Sequence, residues 1–485
     1  MTLAIVVQRY GAEINGGAEL HARYVAERLA RHARVEVWTT CATDYVTWAN
    51  AVPPGTEEIH GVTVRRFPVR HPRDPERFGR LSERVFTQPH SLADELAWLD
   101  AEGPASPGLI AHIRRHAASV DFCLFFSVRY YQAYHGIRAA RGNAILVPTA
   151  ERDPAIGLSL FPPIFNGVRA LMYNSPEERA MIQAVAGNDA VPSVVVGIGS
   201  EVPSHPQPHR FRQTHNIRGP FAIYIGRIDE NKGCAELFRY FEQYVREQAG
   251  QLTLVLVGNA WLQIPAHPRI RHLGFLSDTE KFDALAAADL LIMPSYFESL
   301  SMVALEAWAL GKPVLANGAC DVLKGQCLRS NAGLFYESAE EFVEALRALE
   351  HTRWIAASLG RNGRQFYREH YDWPVIDRKY LDMLQRLSQE PTPRRPTALP
   401  GWLARRRDTC PPAVDVLHRL PRGPVLDAET SAPRATGPMT PPLPRRSAPQ
   451  DRPAATPPRG RDREPRTQSG RDRRRHRGGR QGATR

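Results

Sequence analysis

The feature that most constrains this chain is a long series of short, unbroken apolar runs, each divided from the next by a helical pattern or a turn. Seven come first: LAIVV (3–7), VEVWTT (35–40), VTVRRFPV (62–69), DFCLFFS (121–127), AILVPTA (144–150), ALMYNS (170–175) and SVVVGIG (193–199). Six follow: FAIYIGRI (221–228), LTLVLVG (252–258), IRHLGF (270–275), DLLIMPS (289–295), KPVLANG (312–318) and AGLFY (332–336). Runs that are apolar throughout, rather than at every second residue, suit parallel strands covered on both faces. Between the first two lies GGAELHARYVAERLARH, with Leu20, Tyr24, Ala26 and Leu29 at helical spacing. Strands alternating with helices predict an α/β chain with two doubly wound β/α domains in tandem. The expected boundaries are 1–205 for the first domain, 206–372 for the second, 373–390 for a closing helix and 391–485 for a tail. The Pro- and His-punctuated stretch 201–220 reads as the linker. Two such domains make a cleft between the carboxyl ends of their sheets, where ligands of this architecture bind.

Charge is confined to one end. Residues 391–485 carry 22 Arg and no Lys against eight acidic residues, so the net charge of +12 belongs to the tail and the rest is close to neutral. Rich in Pro, Arg, Gly and Ser, the tail lacks the apolar surface to offset its ordering entropy and is expected to be disordered. Arg runs attract phosphate, which makes an anionic membrane surface a conceivable partner. Nucleic acid is disfavoured, because aromatic residues for base stacking are missing. No apolar run reaches the ~18 residues of a membrane span, and MTLAIVVQRYG lacks the basic start of a signal peptide. The six cysteines form no C-x-x-C pair and sit mostly in apolar runs, as reduced core residues do. A cytoplasmic protein is expected, with peripheral membrane contact through the tail as an addition.

Three motifs carry chemistry. In YIGRIDENKG (224–233) a strand ends, Gly226 allows a tight exit, and Arg227 and Lys232 precede a helix. Two cations beside helix-start amides suit a diphosphate; two solvated loop cations are the alternative. In EINGGAELHARY (13–24), Gly16 and Gly17 open the first helix and let the backbone approach a ligand closely, though an ordinary turn reads the same. The third, SYFESLSMVALEAWALGKPVLAN (295–317), interrupts a nearly apolar segment with Glu298 and Glu306. A helix beginning near Ser299 would separate them by about 12 Å along its axis. That is roughly the span from the sugar to the ribose of a nucleoside diphosphate sugar, with the amides of Ser299, Leu300 and Ser301 between them facing phosphate oxygens. Capping and surface carboxylates are the competing reading.

Together, ESLSMVALEAWALGKPVLAN, YIGRIDENKG and NGGAE resemble the E-x7-E signature, the G-R-x4-K-G element and the N-terminal glycine loop of family-4 retaining glycosyltransferases. The three occur in that family's order, and the resemblance spans about residues 1–390. It implies the GT-B fold of two facing Rossmann-like domains and transfer of a sugar from a nucleoside-diphosphate donor to an acceptor hydroxyl, in cell-envelope or other glycan synthesis. It also implies that Arg227 and Lys232 neutralise the leaving diphosphate, Glu306 holds the ribose, Glu298 the donor sugar, and Gly16 and Gly17 close onto the diphosphate. No metal or other cofactor is implied, and the acceptor is a glycan or a lipid-linked sugar contacting variable first-domain loops such as 71–118.

The sequence departs from the pattern in two places. The usual E-x-F-G is Glu298-Ser299-Leu300-Ser301, which lacks the glycine. Where a histidine often follows a first-domain strand, LVPTAERDPAIG offers Glu151, Arg152 and Asp153. Glu151 or Asp153 is then the acceptor-side catalytic candidate, with a structural carboxylate paired to Arg152 as the rival. Two other functions remain open: a nucleotide-sugar epimerase of the same fold, and a non-enzymatic phosphate or nucleic-acid binder acting through the tail.

Overall fold

A computed structural model describes residues 1–391, apart from Asn15, Arg141, Ala249 and the side chain of Gln248, together with His418. The chain divides into two compact units, Met1–Pro412 and Ala413–Arg485. All the elements described here belong to the first. The expected disordered tail lies outside the described residues, save for Pro391 and His418.

Eight strands form the first sheet: β1 (Thr2–Val6), β2 (Arg34–Thr40), β3 (Gly55–Ile59), β4 (Val62–Phe67), β5 (Phe122–Phe126), β6 (Ala144–Val147), β7 (Ala170–Tyr173) and β8 (Ser193–Val195). Their order is β3-β4-β2-β1-β5-β6-β7-β8, parallel except for the β3–β4 hairpin. Six more form the second sheet: β9 (Phe221–Ile225), β10 (Thr253–Val257), β11 (Ile270–His272), β12 (Leu290–Met293), β13 (Val314–Asn317) and β14 (Gly333–Tyr336). Their order is β11-β10-β9-β12-β13-β14, all parallel. In both sheets the strand order reverses beside a first strand, β1 or β9. That is the switch point at which doubly wound sheets open a ligand crevice. This is an α/β fold of two Rossmann-like sheets with their helices.

All thirteen apolar runs contain a strand, usually trimmed at the carboxyl end where the chain turns out into a loop. Parallel strands buried on both faces leave that signal intact: β1, β5, β6, β7, β9, β12 and β13 are buried at nearly every residue. β3, GTEEI, was not anticipated. It is an edge strand with four exposed residues, so pairing with β4 rather than burial makes it a strand.

Two expectations are corrected. The stretch 71–118, taken as acceptor loops, folds into three helices, Pro75–Thr87, Leu92–Glu102 and Pro107–His116, each with a polar N-cap: Asp74, Ser91 and Ser106. Their apolar residues pack beneath Trp98, which is fully buried with Phe78, Phe86 and Phe161 around it. Within the expected linker, Pro208–Thr214 is helical and buries Phe211.

The final helix, Trp373–Gln389, sits on elements of the first sheet's half. Its Tyr380 hydroxyl meets His21 Nε2 at 3.0 Å, and Asp377 binds Arg28. The buried Arg169 donates to the carbonyls of Leu387, Glu390 and Pro391, which closes the helix's carboxyl end. Burial drives the His21 imidazole down to about 3, so it stays neutral in this apolar seat.

Candidate functional site

The loop after β9 is held by its own atoms. The Tyr224 hydroxyl donates to the Arg227 carbonyl at 2.5 Å, and the Lys232 amide donates to Asp229 Oδ1 at 2.8 Å. Gly233 adopts φ +70°, and a Cβ there would collide with the Pro294 carbonyl just beyond β12. Only glycine permits this approach. The contact presses the two strand-end loops together and brings Lys232 to residues 294–301.

There the Lys232 ammonium donates to Glu298 Oε1 at 2.8 Å, with both side chains largely buried. Glu151, from the loop after β6, faces the same pair. Burial first, then the carboxylates of Glu298 and Asp153, push its carboxyl up to about 7, opposed by Lys232 and Arg129. The Lys232 ammonium is favoured by these two glutamates against the desolvation that opposes it. Two carboxyls on opposite sides of the cleft thus share one cation.

Arg227 pairs with Asp229 at 3.2 Å and lies 5.8 Å from the Tyr45 ring of the first half. Asp153 and Arg152 do not pair with each other. Asp153 caps the short helix Pro154–Gly157 and binds Arg129, whereas Arg152 reaches across to Asp321 at 2.7 Å. Gly16 is the N-cap residue of the helix Gly17–Leu29, and a side chain there would strike Glu19, which is bound to Arg9. Gly17 has open space where its Cβ would be.

The third motif differs from expectation in where its helix starts. The helix spans Met302–Ala309, and the Ser301 hydroxyl accepts the Ala304 amide at 3.2 Å as its cap. Ser299, Leu300 and Ser301 are therefore the loop ahead of the helix, and the first helical amides belong to Met302 and Val303. Leu300 is buried, and the Ser299 hydroxyl meets Asn174 Nδ2 across the cleft at 3.4 Å. One turn into the helix, Glu306 is 2% exposed. Its Oε1 accepts from Ser200 Oγ (2.8 Å) and Lys281 Nζ (3.0 Å), while its Oε2 is buried with no partner. A carboxylate oxygen left bare in the interior is costly unless a donor reaches it. A ligand hydroxyl would satisfy it.

Sequence reasoning missed Ser200, Lys281, Asn174 and Glu178. The Glu178 carboxyl is fully enclosed and holds the ends of β6 and β7, accepting the amides of Ala150 and Asn174 at 2.6 Å each. Burial pushes it up to about 8 even so. Its only sequence signal, Ser175 three residues earlier, marks a helix start and nothing more. Ser200 and Asn174 act across more than a hundred residues of chain, and Lys281 reaches Glu306 from another helix 25 residues earlier, so none leaves a local pattern. A cavity of about 60 Å³ lies beside Glu298, with Tyr296, Phe297 and Cys320 on one wall and Ala150, Glu178 and Met181 on the other. Among the described residues no group of three or more His, Cys, Asp or Glu is placed to hold a metal ion, and no helix is long and apolar enough to cross a membrane.

Residues 219–351, which hold both Glu298 and Glu306, match the family model of the glycosyl transferases group 1. The chain is a glycosyltransferase of the GT-B fold. It is 23% identical to the glycogen synthase of Mycobacterium tuberculosis over 432 residues, covering 82% of this glycosyltransferase and 98% of that protein. Over 198 residues it is 30% identical to the phosphatidyl-myo-inositol mannosyltransferase of Propionibacterium freudenreichii, covering 39% of this chain and 50% of the other. Among solved structures it superposes on sucrose-phosphate synthase from Thermosynechococcus elongatus with a TM-score of 0.60 at 17% identity, covering 80% of this chain and 99% of that one. Anabaena HepE in complex with UDP-glucose gives 0.58 at 18%, covering 80% and 100%. At such identities the structural likeness speaks for the fold.

Proposed function

We propose that this glycosyltransferase is a retaining, metal-independent enzyme that moves a sugar from a nucleoside-diphosphate donor to an acceptor hydroxyl in glycan synthesis. The observation that carries the reading is Glu306: a buried carboxylate with one oxygen satisfied by Ser200 and Lys281 and the other bare. A ribose diol supplies the missing donor. Eight residues earlier, Glu298 would meet the hydroxyls of the donor sugar, and Lys232 and Arg227 its diphosphate. That HepE was solved with UDP-glucose supports the same donor class.

In the reaction, the anomeric C1–O bond breaks and the diphosphate departs with its electron pair. The acceptor oxygen bonds to C1 on the face the diphosphate leaves, and Glu151 takes the hydroxyl proton. Lys232, Arg227 and the amides of Met302 and Val303 stabilise the growing negative charge. Glu298 stabilises the positive character at C1. A carboxyl near pH 7 is well matched to accepting a proton under neutral conditions. Asp153, tied to Arg129 and to its cap, serves the loop rather than the chemistry.

The test is hydrolysis of a panel of UDP- and GDP-sugars by the full chain, with the released sugar's anomeric form read by NMR before it equilibrates. Release of the donor's own anomer is expected, and release of the opposite anomer would overturn the retaining mechanism. Failure of every donor, together with failure of UDP and GDP to bind, would overturn the donor site.

A further inference from the structure

Among the described residues of the first half, the large apolar side chains left open, Met1 aside, are two neighbours: Tyr45 at 42% and Val46 at 43% exposure. They sit at the tip of the loop after β2, and that tip is built to be rigid. Asp44 accepts the amides of Val46 and Thr47 at 2.7 Å, that of Ala49 at 3.1 Å, and the Thr47 hydroxyl at 2.7 Å. These bonds hold its carboxyl below the usual carboxylate range, against the desolvation that opposes them. Trp48 is forced to φ +56°, where its buried indole donates to the Glu102 carbonyl at 2.8 Å. Arg73 ties the Tyr45 carbonyl to the same place at 3.2 Å. A strained tryptophan anchoring an exposed Tyr-Val tip is a costly way to make an idle turn.

The surroundings say what fits. The Tyr45 ring is flanked by the guanidinium groups of Arg9 at 5.9 Å, Arg73 at 5.8 Å and Arg227 at 5.8 Å. Arg227 is the donor-diphosphate cation of the reading above, on which this inference rests. The first two do not offer free charge. Arg9 is held by Glu19, and Arg73 and Arg129 share Glu102, with Asp153 completing the set. With Arg9 and Arg73 paired and Arg227 taken by the donor diphosphate, the floor under Tyr45 is polar and offers no free cation. With the donor diphosphate already on Arg227, an anionic acceptor would have to break the Arg9–Glu19 or Arg73–Glu102 pair to find a cation there. A sugar ring needs no such exchange: its apolar face covers an aromatic ring, and its hydroxyls bond to the polar groups around it.

We propose that Tyr45 and Val46 form the acceptor subsite, taking a neutral, hydroxyl-rich pyranose ring stacked on Tyr45 beside the donor diphosphate. Phosphorylated and acidic acceptors are excluded because that floor offers no free cation. The subsite also explains why Tyr45 leans on Arg227. The residue that would hold the acceptor ring touches the residue that would hold the leaving group, which sets the two substrates side by side.

The experiment uses the full chain and its Tyr45→Ala and Tyr45→Phe variants, with UDP and GDP affinities measured for each. Neutral methyl pyranosides and disaccharides are compared with glucose 6-phosphate, inositol phosphate and glucuronic acid, by saturation-transfer NMR with nucleotide present and as acceptors with donor. Neutral rings are expected to bind and the anionic ones not. Tyr45→Ala should weaken acceptor binding about tenfold. Tyr45→Phe, which loses the hydroxyl but keeps the ring, should stay within about twofold of the parent. A preference for the phosphate esters or the uronic acid overturns the proposal. So does an unchanged Tyr45→Ala variant, or a chain that binds nucleotide but no neutral ring. A chain that binds neither UDP nor GDP overturns the donor reading, and this inference with it.

Discussion

Replacing Lys232 by Met keeps the length of the side chain and removes only its charge, which makes it the sharpest probe of the cleft. The ammonium is 2.8 Å from Glu298 Oε1 and acts on Glu151 as well, with side chains 25% and 12% exposed for Lys232 and Glu298. Three consequences follow from that geometry. A diphosphate loses one charge-assisted partner, worth about 1.5–3 kcal/mol, so UDP or GDP affinity should fall roughly 10- to 150-fold. Two carboxyls are left without their shared cation, and leaving buried charge unpaired is destabilising. Because Lys232 holds the Glu151 carboxyl down, its removal must move that group further above 7. The sign is fixed. Glu151 ionises at higher pH in the folded chain than in the unfolded one. It therefore favours folding most below the ordinary carboxylate range, and that contribution is lost as pH rises through about 7. Donor turnover should accordingly rise through about pH 7 in the parent and at a higher pH in Lys232→Met. Calorimetric titration with both nucleotides, chemical denaturation and a pH profile of donor turnover measure these three effects in turn. Unchanged affinity for both nucleotides, with an unmoved pH limb, would remove Lys232 from the site and refute the shared-cation argument.

Other perturbations should separate the roles. Glu306→Gln should weaken free nucleotide and donor alike by about 1.5–3 kcal/mol, whereas Glu298→Gln should leave free nucleotide affinity nearly intact while turnover falls; titration and initial rates distinguish them. Glu151→Gln should abolish the limb near pH 7 and lower turnover without weakening UDP or GDP binding, which a pH profile and titration would show. Gly233→Ala, driven against the Pro294 carbonyl at φ +70°, should cost more than about 1 kcal/mol in chemical denaturation and weaken nucleotide binding, because the loop carrying Lys232 must move. Arg152→Ala removes an ion pair whose side chains are 71% and 55% exposed and should change denaturation midpoints hardly at all, within about 0.5 kcal/mol.

What the sequence made legible follows from burial. Strands covered on both faces are apolar without interruption, and every one of the thirteen runs announced itself that way. β3 did not, because Gly55–Ile59 is a strand only by virtue of β4 beside it. The three helices of 75–116 were hidden for another reason: their proline and serine starts read as loop punctuation, although the same residues are caps. At the site, spacing within a short stretch pointed to Lys232, Glu298 and Glu306. Their partners could not be read so, since Ser200 meets Glu306 over a hundred residues away in chain. The absence of a glycine at position 301 was legible, but its effect was not. The serine caps a helix that begins at Met302.

The helix Trp373–Gln389 is the last in sequence among those described, yet its bonds run to His21, Arg28 and Arg169. The first half of this enzyme is therefore not one continuous stretch of chain. A fragment cut at the linker and ending near residue 205 would lack the helix that covers it, and the complementary fragment would carry Tyr380, Met383, Leu384 and Leu387 with nothing to bury them. Dividing the enzyme for separate expression calls for a circular permutation that joins this helix to the start of β1. Evolution, exchanging one half for another by a single crossover in the linker, would inherit the same mismatch: each new first half would have to accept the old one's closing helix.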